Sequence, residues 1–196
     1  MSRQVHPIER ESYRILRSRH DFSRLAPLSR AVTERVCHAS ADLSFADSLV
    51  LDERSLACAR EALLSGATVV CDSRMTAAGI TSRHPVVPLE DDRVAALAGE
   101  RGLTRSAAGM RLATADVGPG AVWVIGNAPT ALLELIEHPP EAPALVVGLP
   151  VGFVGAADAK SALAGSGLPC ITNRGERGGS SVAAAAVNAL IYAGDR

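Results

Sequence analysis

Seven polar side chains could carry chemistry: Ser12, His38, Asp72, Thr81, Arg105, Asn127 and Arg174. His38 falls near the end of a predicted helix, where the dipole favours the charged imidazole and titration comes close to neutrality. Arg105 opens a predicted helix, the wrong end for a cation on dipole grounds and therefore a hint of an anion beside it. Ser12 lies on the apolar stripe of a helix over 7–19, with Ile8, Ile15 and Leu16. Asp72 and Thr81 follow a predicted strand, and Asn127 sits in a tight turn between a strand and a helix. Each has a structural reading too. Ser12 can bond back to its own helix, Asp72 can cap a turn, and Arg105 can be a solubilising surface cation. His38 can be a partly exposed capping residue, as can His6, His20, His84 and His138.

The elements that must position these groups repeat one pattern. Apolar runs at 67–71, 121–125, 144–147 and 168–172 each meet a Gly, Pro, Asn or Asp turn and then an Ala-rich helix. Uninterrupted apolar runs suit strands of a parallel sheet covered on both faces, and alternating strand and helix predicts an α/β layered fold. Ligands should then bind beyond the carboxyl ends of the strands. The clearest unit is AVWVIGNAPTALLELIE at 121–137, with Pro129 at the first helical position. Its turn offers backbone N–H groups to an anion. Further helices are predicted over 7–19, 27–39, 53–65, 91–101, 105–115 and 181–191. Residues 84–89, HPVVPL, read as an edge segment. The last helix is almost all Ala and Val, so it must be buried, in this chain or against another subunit.

Composition narrows the function classes. The chain has 196 residues, 47% of them hydrophobic, a length that suits one domain over 1–196 with a full core. A formal net charge of −1 and 3% aromatic residues argue against nucleic acid and anionic membranes as partners. No apolar run is long enough to span a bilayer. The charged N-terminal stretch lacks a signal-peptide core, so a cytoplasmic protein is expected. Cys37, Cys58, Cys71 and Cys170 are scattered without zinc spacing and read as small, reduced, buried hydrophobes. Dinucleotide, P-loop and nucleophile-elbow motifs are missing, and no metal site is expected.

Several stretches together resemble one family. TRSAA at 104–108, GNAPTAL at 126–132, GLPVGFVGAADAK at 148–160 and RGERGGSS at 174–181 are similar to the precorrin-8X methylmutases, in order and at family-like spacing. The resemblance runs from about residue 8 to 191. It implies a three-layer α/β/α domain around a mainly parallel sheet, working as a homodimer with its site near the interface. It implies an isomerase of cobalamin biosynthesis. A methyl group moves from ring carbon eleven to twelve of a corrinoid, turning precorrin-8X into hydrogenobyrinate without a cofactor. By the same resemblance His38 is catalytic, a proton donor or hydrogen-bond partner to a pyrrole nitrogen. Ser12, Thr81 and Arg105 fall on substrate-facing positions, with Arg105 clamping a peripheral carboxylate, and Asn127 in the turn is expected to bind substrate as well.

Two positions depart from the family pattern. Ala41 precedes Asp42 where Gly is usual, so a left-handed backbone there would be strained. Ala159 precedes Lys160 where Ser is expected. Two competing readings are a non-catalytic corrinoid carrier, which needs no proton donor, and a nucleotide-dependent methyltransferase using the GNAPTA turn at 126–131.

Overall fold

A computed structural model describes residues 6–81 and 83–194. Five strands form one sheet: Leu49–Val50 (β1), Val69–Cys71 (β2), Val122–Ile125 (β3), Leu145–Gly148 (β4) and Cys170–Asn173 (β5). Their order is β1-β5-β4-β3-β2. β2 to β5 run parallel, with Val124 level with Cys71 and Val147, and β1 joins β5 antiparallel. The 84–89 segment touches β2 through a single parallel bridge from Val86 to Val70, as two prolines allow at an edge.

Among the described residues, ten α-helices surround the sheet. They are Pro7–Arg19 (α1), Pro27–Ser40 (α2), Ser44–Ser48 (α3), Glu53–Leu64 (α4) and Arg74–Gly79 (α5). Arg93–Arg101 (α6), Arg105–Asp116 (α7), Pro129–Glu137 (α8), Ala156–Gly165 (α9) and Ser180–Ile191 (α10) complete the set. None of them is long and apolar enough to cross a membrane.

Strand residues alternate between two cores, as the two-residue period requires. Cys71, Val122, Val124 and Val147 face α2, α4 and α10. Val70, Trp123, Ile125 and Val146 face α7, α8 and α9. The result is the expected α/β/α sandwich. The parallel strands follow one another across the sheet in a single direction, so the connections through α7, α8 and α9 cover one face. The N-terminal helices and α10 must cover the other.

That arrangement decides the fate of the bare last helix. Every residue of α10 except Ser181 is buried within this chain, against α2, α4, α5 and the sheet, so α10 needs no second subunit to cover it. The stripe on α1 differs from expectation. Tyr13 is its buried residue, while Ile8 is 74% and Ile15 37% exposed. The α1 stripe borders a cavity where a core was expected. Cys37 and Cys71 are buried as expected, whereas Cys58 is exposed on α4, and all four thiols are free. Sequence patterning missed α3 and β1, which are too short to carry a period.

The turn after β3 also differs. Asp72, 1% exposed, accepts hydrogen bonds from the backbone N–H groups of Gly126 (3.2 Å), Asn127 (2.7 Å) and Ala128 (2.8 Å). The anion site predicted there is already filled by the chain's own carboxylate. Thr76 Oγ1 lies 3.0 Å from Asp72 Oδ1, 3.0 Å from Ser180 Oγ and 2.9 Å from Ser73 Oγ. Its one proton goes to the carboxylate, and the serines donate to it. A side chain at Gly126 would meet Ser180 Cα at 2.7 Å, so only glycine lets α10 approach this turn.

Two outcomes follow for stability. Asp72→Ala leaves one buried and two partly buried donors without their acceptor and is expected to cost about 2 kcal/mol or more in urea unfolding; a loss under 1 kcal/mol would contradict the role given to Asp72. Ala41 caps α2 with φ of 52°, the left-handed region that disfavours a Cβ. Ala41→Gly should therefore raise stability by about 0.5–1 kcal/mol, and a decrease would contradict the strain.

Candidate active site

His38 lies in the last turn of α2, half-buried, beside α1. Two consecutive residues of α1 hold its ring. Ser12 Oγ is 3.0 Å from Nδ1, and the Tyr13 ring stacks on the imidazole with centroids 4.6 Å apart and planes 13° from parallel. Tyr13 is itself buried, with the Arg17 guanidinium carbon 5.6 Å from its centroid. One contact fixes a ring nitrogen and the other fixes the ring plane. When the Ser12 hydroxyl donates to Nδ1, the tautomer carries its proton on Nε2 and can pass it on.

The ring opens on a cavity of about 270 Å³ whose wall includes Ser12, Ile15, Leu16, Arg19, His38 and Asp42. The left-handed Ala41 turns the chain out of α2 and brings Asp42 onto that wall. Asp42 accepts from the Ser44 N–H at 2.9 Å and from Arg177 Nη1 at 2.6 Å, and Arg177 also reaches the Ser44 hydroxyl. The Ser44 hydroxyl and N–H hold the Asp42 carboxyl below its usual range, with Arg177 adding to the effect. Cys37 also lines the cavity, but burial pushes its thiol up to about 11, so it is no nucleophile at neutral pH.

Arg105 sits elsewhere on the carboxyl-end rim of the sheet. Thr104 caps α7 by accepting from Ala107 N–H at 3.2 Å, and its hydroxyl meets that of Thr130 at 2.8 Å. Arg105 follows, exposed, with no hydrogen bond or ion pair to any described residue. It borders an open cavity of about 490 Å³ with Ser73, Arg74, Met75, Leu89 and Glu90. Asn127 is exposed on the neighbouring turn, where Asp72 takes its N–H and leaves its side chain outward. A free cation and a free amide at this rim can receive a carboxylate.

Thr81 is placed differently. Its N–H and hydroxyl bond to Asn188 Oδ1 at 3.1 and 3.3 Å, and its hydroxyl meets Tyr192 at 2.9 Å, at the far end of α10. Within one chain, then, Ser12 and His38 come together, Arg105 and Asn127 share the sheet rim, and Thr81 joins neither pair. Sequence reasoning missed Tyr13 and gave Arg177 no role. Tyr13 is an aromatic next to Ser12 on a face otherwise charged, the one signal that could have found it.

Among the described residues, Glu134, Glu137 and His138 bring three potential metal ligands within 4.8 Å. Arg111 lies among them, bonded to Glu134 and, at 3.0 Å, to His138 Nδ1. A guanidinium at that spot opposes a second cation.

Comparison with known proteins completes the description. A family profile described as precorrin-8X methylmutase matches residues 7–193. The chain is 42% identical to the precorrin-8X methylmutase of Pseudomonas aeruginosa, covering 93% of each sequence. It is 38% identical to the cobalt-precorrin-8 methylmutase of Salmonella typhimurium, covering 96% of this chain and 95% of that one. A crystal structure titled as the precorrin-8x methyl mutase of Thermus thermophilus superposes with a TM-score of 0.85 at 34% identity, covering 95% of this chain and 96% of the other. With sequence and fold matched over nearly its whole length, the chain belongs to the precorrin-8X methylmutase family.

Proposed function

We propose that the protein catalyses methyl migration on a precorrin-8 corrinoid, from ring carbon eleven to ring carbon twelve, with hydrogenobyrinate or its cobalt form as product. The observation that carries the reading is His38, held at Nδ1 by Ser12 and across its face by Tyr13. A ring fixed in this way can donate from Nε2 to a pyrrole nitrogen and stabilise the tautomer through which the methyl moves. The methyl leaves one ring carbon and joins the next within one molecule, so the work falls on holding a reactive tautomer in place. No nucleophile is called for, and none is assigned.

The remaining assignments follow the substrate's chemistry. Acetate and propionate arms suit Arg105, a cation with no bonded carboxylate among the described residues. The Asn127 amide can add a hydrogen bond on the same rim. Ile8 and Ile15, exposed beside Ser12, offer apolar contact to the flat macrocycle. A contact from Thr81 requires its hydroxyl to leave Tyr192. The relatives' names divide between metal-free and cobalt-containing substrates at 42% and 38% identity, so the macrocycle framework is what the proposal names.

We take the working form to be a homodimer with the site at its interface. The His38 and Arg105 cavities share no lining residue. Val151, Phe153 and Val154 are 47, 92 and 88% exposed on the loop after β4, apolar surface that a second copy would cover. The two cores share one sheet, which supports one domain, and four free thiols suit the reducing cytoplasm.

His38→Ala is expected to lower kcat on precorrin-8X by about a hundredfold or more while the folded fraction is unchanged; turnover within a fewfold of wild type would remove His38 from the mechanism. A mixing experiment tests the shared site. Exchange between inactive His38→Ala and Arg105→Ala chains should restore about a quarter of wild-type sites, because half of the dimers then carry one intact site. No recovery would place both groups in the same chain's pocket.

A further inference from the structure

Lys160 is the one lysine in the buried set, 1% exposed on α9. Its Nζ donates to Asn173 Oδ1 at 3.1 Å and to the Arg177 carbonyl at 2.6 Å. Asn173, at the end of β5, donates from Nδ2 to the carbonyls of Arg174 (3.1 Å) and Arg177 (3.0 Å). A buried ammonium is costly unless its donors are met. Burial alone pushes Lys160 down to about 8, with the Glu176 charge opposing the shift. An amide oxygen at the end of β5 and a carbonyl of the loop that follows it, with no bonded carboxylate among the described residues, accept from the ammonium.

That loop, 174–179, is seated with little tolerance. Gly179 N–H donates to the Leu149 carbonyl at 2.8 Å and Gly152 N–H to the Glu176 carbonyl at 3.2 Å. A Cβ on Gly178 would collide with the Leu149 carbonyl and come within 2.6 Å of that of Pro150. The outward product of this packing is the Arg177 guanidinium on Asp42 and Ser44. Arg174 N–H meanwhile bonds the Ser48 carbonyl at 2.9 Å, fastening the loop to the end of α3. The loop therefore clamps the segment that leaves His38.

We propose that Lys160 and Arg177 are positioning residues for His38: the buried ammonium sets the 174–179 loop, and the loop's guanidinium holds and neutralises Asp42 on the wall of the His38 cavity. The charged and titratable groups around the imidazole are Arg19 and Asp42 on the cavity wall, Cys37 with its neutral thiol, Tyr13 on the ring face, and Arg17 and Arg35 beside Tyr13. Among the described residues, Asp42 is the only carboxylate on the cavity wall, and Arg177 is the cation bonded to it. Freed from Arg177, that carboxylate favours the imidazolium.

The test needs no substrate in its first arm. NMR titration of His38 in the free protein should show its pKa rising by about half a unit or more in Arg177→Ala and in Lys160→Met, and falling in Asp42→Asn. The second arm rests on the proposed reaction. Each of Lys160→Met and Arg177→Ala should lower kcat/KM on precorrin-8X about tenfold, and the double variant should be no worse than the weaker single, because both act through one loop. A His38 pKa unchanged in both single variants overturns the proposal, as does a double effect equal to the product of the singles. Should Lys160→Met fail to fold, Lys160→Gln with Arg177→Ala carries the same comparison. If wild type fails to convert the substrate, the functional reading fails alone, since the titration still decides the positioning.

Discussion

Three backbone N–H groups at the turn after β3, one buried and two partly buried, converge on the buried Asp72 carboxylate, which accepts from all of them. Much of the architecture depends on that contact. It joins the end of β2 to the turn between β3 and α8, so two parallel strands and the helix that follows them are fixed at the carboxyl edge of the sheet. Through Thr76 and Ser180 it reaches the start of α10, and α10 is the helix on which α2 rests. His38 is carried on α2. A buried carboxylate thus sets the frame within which the histidine is placed.

The same contact explains what the sequence could and could not reveal. Apolar runs ahead of Gly and Pro turns were enough to find four of the five strands and most helices, because hydrophobic periodicity and turn chemistry act locally. Thr104 as a helix cap and Pro129 at a first helical position were legible for the same reason. Asp72 was not. An acid after a strand reads equally as catalyst or cap, and only tertiary structure places it against a turn 54 residues away. The anion site read from the 126–128 turn was sound local chemistry, overruled by a nonlocal partner.

The site was legible in its parts and illegible in its assembly. Ser12 was visible as a hydroxyl on an apolar stripe, yet the stripe turned out to line a cavity, since α1 buries Tyr13 and leaves Ile8 and Ile15 outward. His38 gained a partner 26 residues away that no periodicity encodes. Lys160 lay inside a family motif, but its meaning lies in an oxygen on Arg177, on a loop beyond the next strand. The left-handed backbone at Ala41 was foreseen from the residue type the family uses there, and the strain is present. Site chemistry here is built from long-range contacts between helices and the loops beside them, the kind of information that a single sequence holds least openly.

A catalysed methyl shift on a corrinoid changes the visible absorption of that chromophore, which reports the reaction directly. Precorrin-8X and its cobalt form would each be mixed with a small amount of purified protein and their spectra followed. One of them is expected to convert fully to the product spectrum, far beyond one equivalent of protein. A spectral change that stops at one equivalent for both would mean binding without turnover and would contradict catalysis.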